Sequence, residues 1–358
     1  MGVVEQSHYA ETMEITINTN QALAATASLR GRSFLKELDF TGSEWLSMLN
    51  LAAALKAERQ TLGADQPQRL VGQSVALIFE KTSTRTRSAF EVAAFEQGAH
   101  TTYFDSQGSQ IGHKESIADT ARVLGRMFSG IEYRGFAQQR VEQLAAFAGV
   151  PVFNGLTDEW HPTQMLADQL TMREHCAKPL DQMKLAYLGD ARNNVANSVL
   201  VSAAMVGMNV ALVAPPSLQP SDSVVEAAQA RAEQTGATVM ISDDLDAVSG
   251  ADFVYTDIWV SMGEPADIYQ QRVSMLSPYR VDAALLSRTG NPAVKVLHDL
   301  PALHDMGTTM AVKLAEVTGA NQFEITDDVF EANAPVIFDQ AENRLHTIKA
   351  VMVASLAR

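Results

Sequence analysis

The chain has very little cysteine. With Cys176 alone among 358 residues no internal disulfide framework can form, and no Cys/His cluster has zinc spacing, so a reducing, cytoplasmic setting is expected. Long apolar runs are missing too: no stretch of eighteen apolar residues occurs, which argues against a membrane-spanning helix. Positive charge is scarce. With 27 Lys and Arg against 42 Asp and Glu the formal net charge is −15, so a nucleic acid or an acidic membrane would be repelled over most of the surface. Any anion the protein binds must be small and locally held. The glycine fingerprints of a nucleotide P-loop and of a dinucleotide site are also absent. The first thirty residues carry Glu5, Glu11 and Glu14 without an apolar signal core, and Met-Gly is not followed by the position-6 Ser or Thr of a myristoylation site, so they read as a short extension.

What the sequence does have is core-forming capacity. At 46% hydrophobic residues and this length, two domains are favoured over one. Thr41 or Ser43 can cap a helix whose apolar face is Trp45, Leu46, Leu49, Leu51 and Leu55. Ser74–Phe79 is a short apolar run, followed by the polar turn Glu80-Lys-Thr-Ser-Thr and a helical pattern with Phe90, Val92, Ala93 and Phe95. The same strand, loop and helix order recurs at Lys184–Gly189, Asp190-Ala-Arg-Asn-Asn and Val195–Val206, with further strands expected at 209–214, 253–256 and 294–298. Alternation of this kind predicts an α/β fold of two doubly wound parallel sheets, with ligand groups at the strand carboxyl ends. The expected division is 1–30 as extension, 31–168 and 169–342 as the two domains, joined through a helix near Met165–Glu174. A C-terminal helix over 343–358 is expected to pack back on the first domain.

Ser83-Thr-Arg-Thr-Arg87 falls where a strand ends and a helix begins. Free backbone N–H groups, hydroxyls and the planar fork of Arg85 converge there, which suits a phosphate-sized anion. On spacing alone, a capped helix with surface arginines explains the stretch equally well. His161-Pro162 alone reads as a turn with a satisfied histidine, Asp257 as a cap after a strand, the polar stretch around Gln110 as a solvated loop, and Arg344 as a solvated helix residue.

Five blocks in order alter those readings. Ser83-Thr-Arg-Thr-Arg87, His161-Pro-Thr-Gln-Met-Leu-Ala-Asp168, Gly189-Asp-Ala-Arg-Asn-Asn194, Asp257-Ile-Trp-Val-Ser-Met-Gly263 and Gln340-Ala-Glu-Asn-Arg-Leu-His346 resemble the aspartate and ornithine carbamoyltransferases, the likeness running from about Gly31 to the C-terminus. The resemblance implies transfer of a carbamoyl group from carbamoyl phosphate to an amine, without metal or organic cofactor. It implies that Ser83, Thr84, Arg85 and Thr86 hold the phosphate, that Arg134 and Arg344 contact the same ligand, and that His161 and Gln164 grip the carbamoyl end. It implies that Gln110 enters a neighbouring subunit's site, making the protein a homotrimer or larger with shared active sites. Asn194, Asp257, Ser261 and Met262 match ornithine-binding positions, and Ser-Met-Gly favours L-ornithine over aspartate or putrescine, giving citrulline in arginine metabolism. Independently of the match, an amino acid needs an anion for its ammonium, which Asp257 offers, and neutral donors for its carboxylate, which Asn194 and loop N–H groups offer.

One block departs from the family. Where relatives read His-Cys-Leu-Pro, this chain reads His298-Asp-Leu-Pro301. The backbone carbonyls of Asp299 and Leu300 can still orient the carbamoyl NH₂. The side chain changes the chemistry: two carboxylates, Asp257 and Asp299, around one amine should hold it as ammonium and displace the rate optimum toward alkaline pH, unless one of the two is protonated. Three alternatives remain open on sequence: another amine acceptor such as putrescine or lysine, a non-catalytic binding protein in which Asp299 marks lost chemistry, and a nucleotide-dependent α/β enzyme.

Overall fold

The computed structural model describes residues 18–105, 114–260 and 266–357. Along the chain run α1 (Thr19–Ala25), α2 (Gly42–Leu62), β1 (Ser74–Phe79), α3 (Thr84–Glu96), β2 (His100–Asp105), α4 (Ile117–Leu124), β3 (Gly130–Arg134), α5 (Gln138–Ala148), β4 (Val152–Leu156) and α6 (Pro162–His175). A second series follows: β5 (Lys184–Leu188), α7 (Asn194–Met205), β6 (Asn209–Val213), α8 (Asp222–Thr235), β7 (Val239–Ser242), β8 (Phe253–Thr256), α9 (Ala266–Leu276), α10 (Ala283–Arg288), β9 (Lys295–His298), α11 (Thr309–Thr318) and α12 (Asp327–Leu356). The strands form two parallel sheets, ordered β2-β1-β3-β4 and β7-β6-β5-β8-β9, which is the expected α/β class with helices on both faces.

Local chemistry explains the elements that fix the site. Thr41 caps α2 through a full capping box with Glu44, and Trp45, Leu49 and Leu55 then lie at 0% exposure. The interior strands β1, β5 and β6 are nearly unbroken apolar runs because both faces are covered, so their patterns are plain in the sequence. Four strands escaped it. Of these β2, β4 and β7 are sheet edges, short and partly polar, while β3 is interior but carries Glu132 and Arg134 on one face.

The last helix is longer than expected. It starts at Asp327 and holds Pro335 in its third turn, which masks its first half because proline ordinarily ends a helical pattern. From Asn343 onward nearly every residue is buried, and α12 packs on α2, α3 and α6 as well as on β9. It therefore packs on helices of the first unit and on a strand of the second sheet. Lys349, fully buried, bonds to Glu96 of α3 and to Gln66.

In each sheet strand order reverses beside the central strand, between β1 and β3 and between β5 and β8. Side chains that follow those carboxyl ends face a common crevice, the usual place for ligands in such sheets.

Candidate active site

The segment after β1 turns at Ser83, whose side chain caps α3 by accepting the Thr86 N–H at 3.2 Å. The N–H groups of Thr84 and Arg85 lie in the first turn, where a helix offers them no acceptor. Arg87 points elsewhere: it pairs with Glu91 and lies over Tyr103. Three other arginines converge. Arg134 ends β3 and donates to the Thr86 hydroxyl at 3.1 Å, and Arg344 reaches the same oxygen from α12 at 2.7 Å. Arg85 donates to the Leu300 carbonyl at 2.5 Å, which ties the first sheet's turn to the loop after β9.

His161 is the residue before α6, where Pro162 takes the first helical position, a place at which its missing N–H does no harm. Its backbone N–H donates to Ser198 of α7 at 2.8 Å. Its Nε2 lies 3.0 Å from Arg344, which can only donate, so Nε2 accepts and Nδ1 carries the proton, facing Thr163 at 3.5 Å. Burial first, then Arg344, Arg134 and Arg85, hold this imidazole well below its ordinary pKa, so it is neutral. Gln164 accepts from Arg344 at 2.6 Å and donates to Asp168 at 2.8 Å. Asp168 also accepts from Gln340 at 2.7 Å, and Gln340 in turn receives the His298 N–H at 2.9 Å. This chain of bonds joins α6, α12 and β9, and burial pushes the Asp168 carboxyl up to about 7.

Electrostatically this pocket sets one buried carboxyl, Glu132, against three guanidiniums. Burial lowers Arg134 to about 10, and burial together with Arg134 and Arg85 lowers Arg344 to about 9. Neither makes an ion pair within the pocket among the described residues. Guanidiniums crowded without partners are unfavourable until an anion arrives, and the geometry suits a small dianion with a planar polar end.

The second half of the crevice has the opposite sign. Asn193 caps α7 and donates to the Tyr187 hydroxyl at 3.0 Å and to Asp257 at 3.3 Å. The carboxylates of Asp257 and Asp299 and the ring of His298 bring ligand-type atoms within 4.8 Å of one another. Burial, and then the facing Asp299, push the Asp257 carboxyl well above its usual range. His298 already accepts the Leu300 N–H through Nδ1 at 3.0 Å, so the cluster reads as an acid pair beside an occupied imidazole rather than as an open cation site. Leu300 has φ 59, a left-handed conformation seldom adopted by a leucine.

Of the residues named from sequence, the structure gathers Ser83, Arg85, Thr86, Arg134, His161, Gln164 and Arg344 into one pocket, with Thr84 at its exposed lip. Asp257 and Asp299 face each other across from it. The Leu300 carbonyl, expected to be open to ligand, is taken by Arg85. Asn194 is turned to the Thr157 carbonyl at 2.5 Å, and its neighbour Asn193 is the one on Asp257. Gln110, Ser261 and Met262 lie outside the described residues. Sequence reasoning passed over Asn193, Asp168 and Gln340, which sit inside quoted motifs, and Glu132, which lies in none; an Asn-Asn pair at a strand-to-helix turn was the only local signal.

Two parallel α/β units, one presenting an arginine-lined anion pocket and the other a carboxylate-lined amine pocket, define a two-substrate transferase of small charged molecules. The chain belongs to the aspartate/ornithine carbamoyltransferases: the family's carbamoyl-P binding domain matches residues 32–174 and its Asp/Orn binding domain residues 181–355. It is 57% identical over 333 residues to an ornithine carbamoyltransferase of Actinobacillus pleuropneumoniae, covering 92% of this chain and 99% of that one. Among solved structures it is similar to the ornithine carbamoyltransferase of Pyrococcus furiosus, with TM-score 0.81, 37% identity and coverage of 92% and 98%. The anabolic ornithine carbamoyltransferase of Campylobacter jejuni matches with TM-score 0.78, 32% identity and coverage of 90% and 97%.

Proposed function

We infer that this chain is an ornithine carbamoyltransferase, converting carbamoyl phosphate and L-ornithine to L-citrulline and phosphate in arginine metabolism. The observation that carries the reading is the opposition of the two half-sites: unpaired Arg134 and Arg344 with neutral His161 on one wall, and the Asp257–Asp299 pair on the other.

In this reading the phosphate sits on the first turn of α3, held by Ser83, Thr84, Arg85 and Thr86 with Arg134 and Arg344 as charged donors. The ligand draws Arg344 off His161, whose ring then takes the other tautomer and donates from Nε2 to the carbamoyl oxygen. Gln164 and the carbonyl of Leu300, released by Arg85, receive the carbamoyl NH₂. Ornithine lies over Asp257, with Asn193 steadying that carboxylate. The δ-nitrogen attacks the carbamoyl carbon, the carbon–oxygen bond to phosphate breaks, and phosphate takes up the proton the nitrogen sheds and leaves as the hydrogen phosphate dianion into its cradle of donors.

Asp299 gives the site its own acid–base character. Two carboxylates this close and this buried favour one shared proton over two charges. A δ-ammonium that binds displaces this shared proton to solvent and can then pass its own proton to the pair and become the free amine, so the exception foreseen for a protonated carboxylate is the state we assign. The same substitution does not favour a purely binding role, because the donor wall is complete.

Ornithine selectivity, the compartment and the assembly belong to the same proposal. Exposed Val71, Phe95, Met127 and Phe136 on the first unit supply apolar surface for a homotrimer, in which Gln110 would serve a neighbour's site. A mass near three times the 38.8 kDa chain by light scattering is expected. The half-buried free Cys176 accords with a reducing cytoplasm, and no helix among the described residues is long and apolar enough to cross a membrane. The decisive assay is steady-state citrulline formation from carbamoyl phosphate with ornithine, putrescine and lysine in parallel. Turnover with ornithine exceeding both others is expected, and equal or greater turnover with either rival overturns the acceptor assignment.

A further inference from the structure

Glu132 lies on β3 two residues before Arg134, so strand alternation puts both side chains on one face of the sheet. It is fully buried, and neither carboxyl oxygen has a well-formed hydrogen bond among the described residues, the Ile78 main chain making only a loose approach from β1. The Nε–H groups of Arg134 and Arg344 are also buried and unpartnered. Donors without acceptors thus share one buried cluster with a carboxyl without donors, an arrangement that native interiors avoid unless something else uses it.

The neighbouring strand is built around this carboxyl. A Cβ on Gly155 of β4 would come within 2.0 Å of Glu132 Oε1 and 3.2 Å of the Thr86 methyl. Glu132 therefore occupies the space that a side chain at 155 would take, directly behind the threonine whose hydroxyl receives both arginines.

Resting on the carbamoyl-phosphate reading of the pocket, we propose that Glu132 is its internal counter-charge, a positioning residue that balances Arg134 and Arg344 while the pocket is empty and takes one proton from solvent when a phosphate dianion replaces it in that task. The charged groups facing it are Arg134 on its own strand and Arg344 from α12. From β1 it meets the polar main chain at Ile78, and Gly155 of β4 and Thr86 of α3 lie beside it, none of which titrates. Burial raises its pKa well above the carboxylate range, and the two arginines oppose that rise. A bound dianion cancels the arginine field, removes the opposition and raises the pKa further, so binding and protonation are linked.

The test is calorimetry of inorganic phosphate binding to the native enzyme and to Glu132→Gln at pH 8, in buffers of different ionisation enthalpy, which counts protons exchanged per site. The native enzyme should take up about one proton more than the variant. In parallel, KM for carbamoyl phosphate should climb up to about tenfold per pH unit between pH 7 and 8.5 in the native enzyme and stay flatter and lower in Glu132→Gln. If the variant does not fold, native uptake near zero overturns the proposal and native uptake above about half a proton upholds it. Equal proton counts and equal pH slopes overturn it while leaving the pocket assignment intact. Failure of the native enzyme to bind phosphate overturns both.

Discussion

Replacing Asp299 by Asn removes the second carboxylate from the amine pocket with almost no change in shape. With ligand-type atoms no more than 4.8 Å apart, two ionised carboxylates at an effective dielectric near 20 repel by about 3.5 kcal/mol, so the native pair retains a proton. Ornithine entering as the ammonium displaces that proton to solvent, and the bound amine and the pair then share a single proton. Ammonium with two carboxylates, and free amine with one carboxylate and one carboxylic acid, hold the same number of protons, and the reactive form arises without exchange with solvent. Native kcat should consequently change little from pH 7 to 9. In Asp299→Asn only Asp257 remains, and its charge keeps the bound amine protonated. An alkyl ammonium titrates near 10.4, so about one bound amine in 1000 is free at pH 7.4. Loss of a well-placed proton acceptor typically lowers rates by ~10²–10⁴-fold. We therefore expect kcat at pH 7.4 to fall about 100-fold, the gap closing tenfold with each pH unit toward pH 9.5. Initial rates of citrulline formation with both substrates saturating, on native, Asp299→Asn and Asp299→Cys proteins, read this directly. Parallel pH–rate curves for native and Asn forms would refute the shared-proton argument, even if the variant were uniformly slower.

Other parts of the structure make separate predictions. Arg344→Gln should raise KM for carbamoyl phosphate by ~10–100-fold, the worth of one charge-assisted bond of about 1.5–3 kcal/mol. Glu37, fully buried and pushed up to about 7 by burial, binds more protons folded than unfolded between about 4.5 and 7, so stability falls as pH rises across that window. Glu37→Gln should relieve up to about 3 kcal/mol of that loss at pH 8 and little at pH 5, and equal changes in Tm at the two values would contradict it. Lys349→Met strands Glu96 beneath α12, but Glu96 keeps Arg59 at 2.8 Å. Its destabilisation, read by denaturant midpoint, should therefore be about 2 kcal/mol, below the ~3–5 kcal/mol of a buried charge left with no partner.

What could be read from the sequence follows from which physical signals are local. Buried interior strands such as β1 and β5 announce themselves as apolar runs, and a capping box marks the start of α2. The edge strands β2 and β7 do not, because both are only partly buried and their composition drifts toward that of a loop, whereas the edge strand β9 is buried enough to show. β3 was hidden because it carries a glutamate and an arginine on a strand whose burial alone would have called for apolar residues. Site residues were legible where they form compact motifs, as at Ser83–Thr86. They were not where the partner is distant in sequence. Arg344 meets His161 across 183 positions, Gln340 meets Asp168 across 172, and no period or propensity encodes such pairings.

The distribution of charge closes the argument for how two substrates meet. A chain of net charge −15 repels carbamoyl phosphate at long range, so the donor must be captured by a few guanidiniums held away from their usual carboxylate partners. Keeping them so is possible because α12, packed on α2, α3, α6 and β9, delivers Arg344 from the far end of the chain, and because Thr86, His161 and Gln164 offer it neutral acceptors. The acceptor amine is cationic and suits the acidic wall formed by Asp257 and Asp299. The described contact that spans the two walls most directly is Arg85 on the Leu300 carbonyl, one residue beyond Asp299. A phosphate bound at α3 competes for Arg85 and frees that carbonyl for the carbamoyl NH₂, so donor binding should ready the acceptor wall. Ordered addition, carbamoyl phosphate before ornithine, is the kinetic consequence. An initial-rate pattern in which ornithine binds productively to the free enzyme would break this link between the halves.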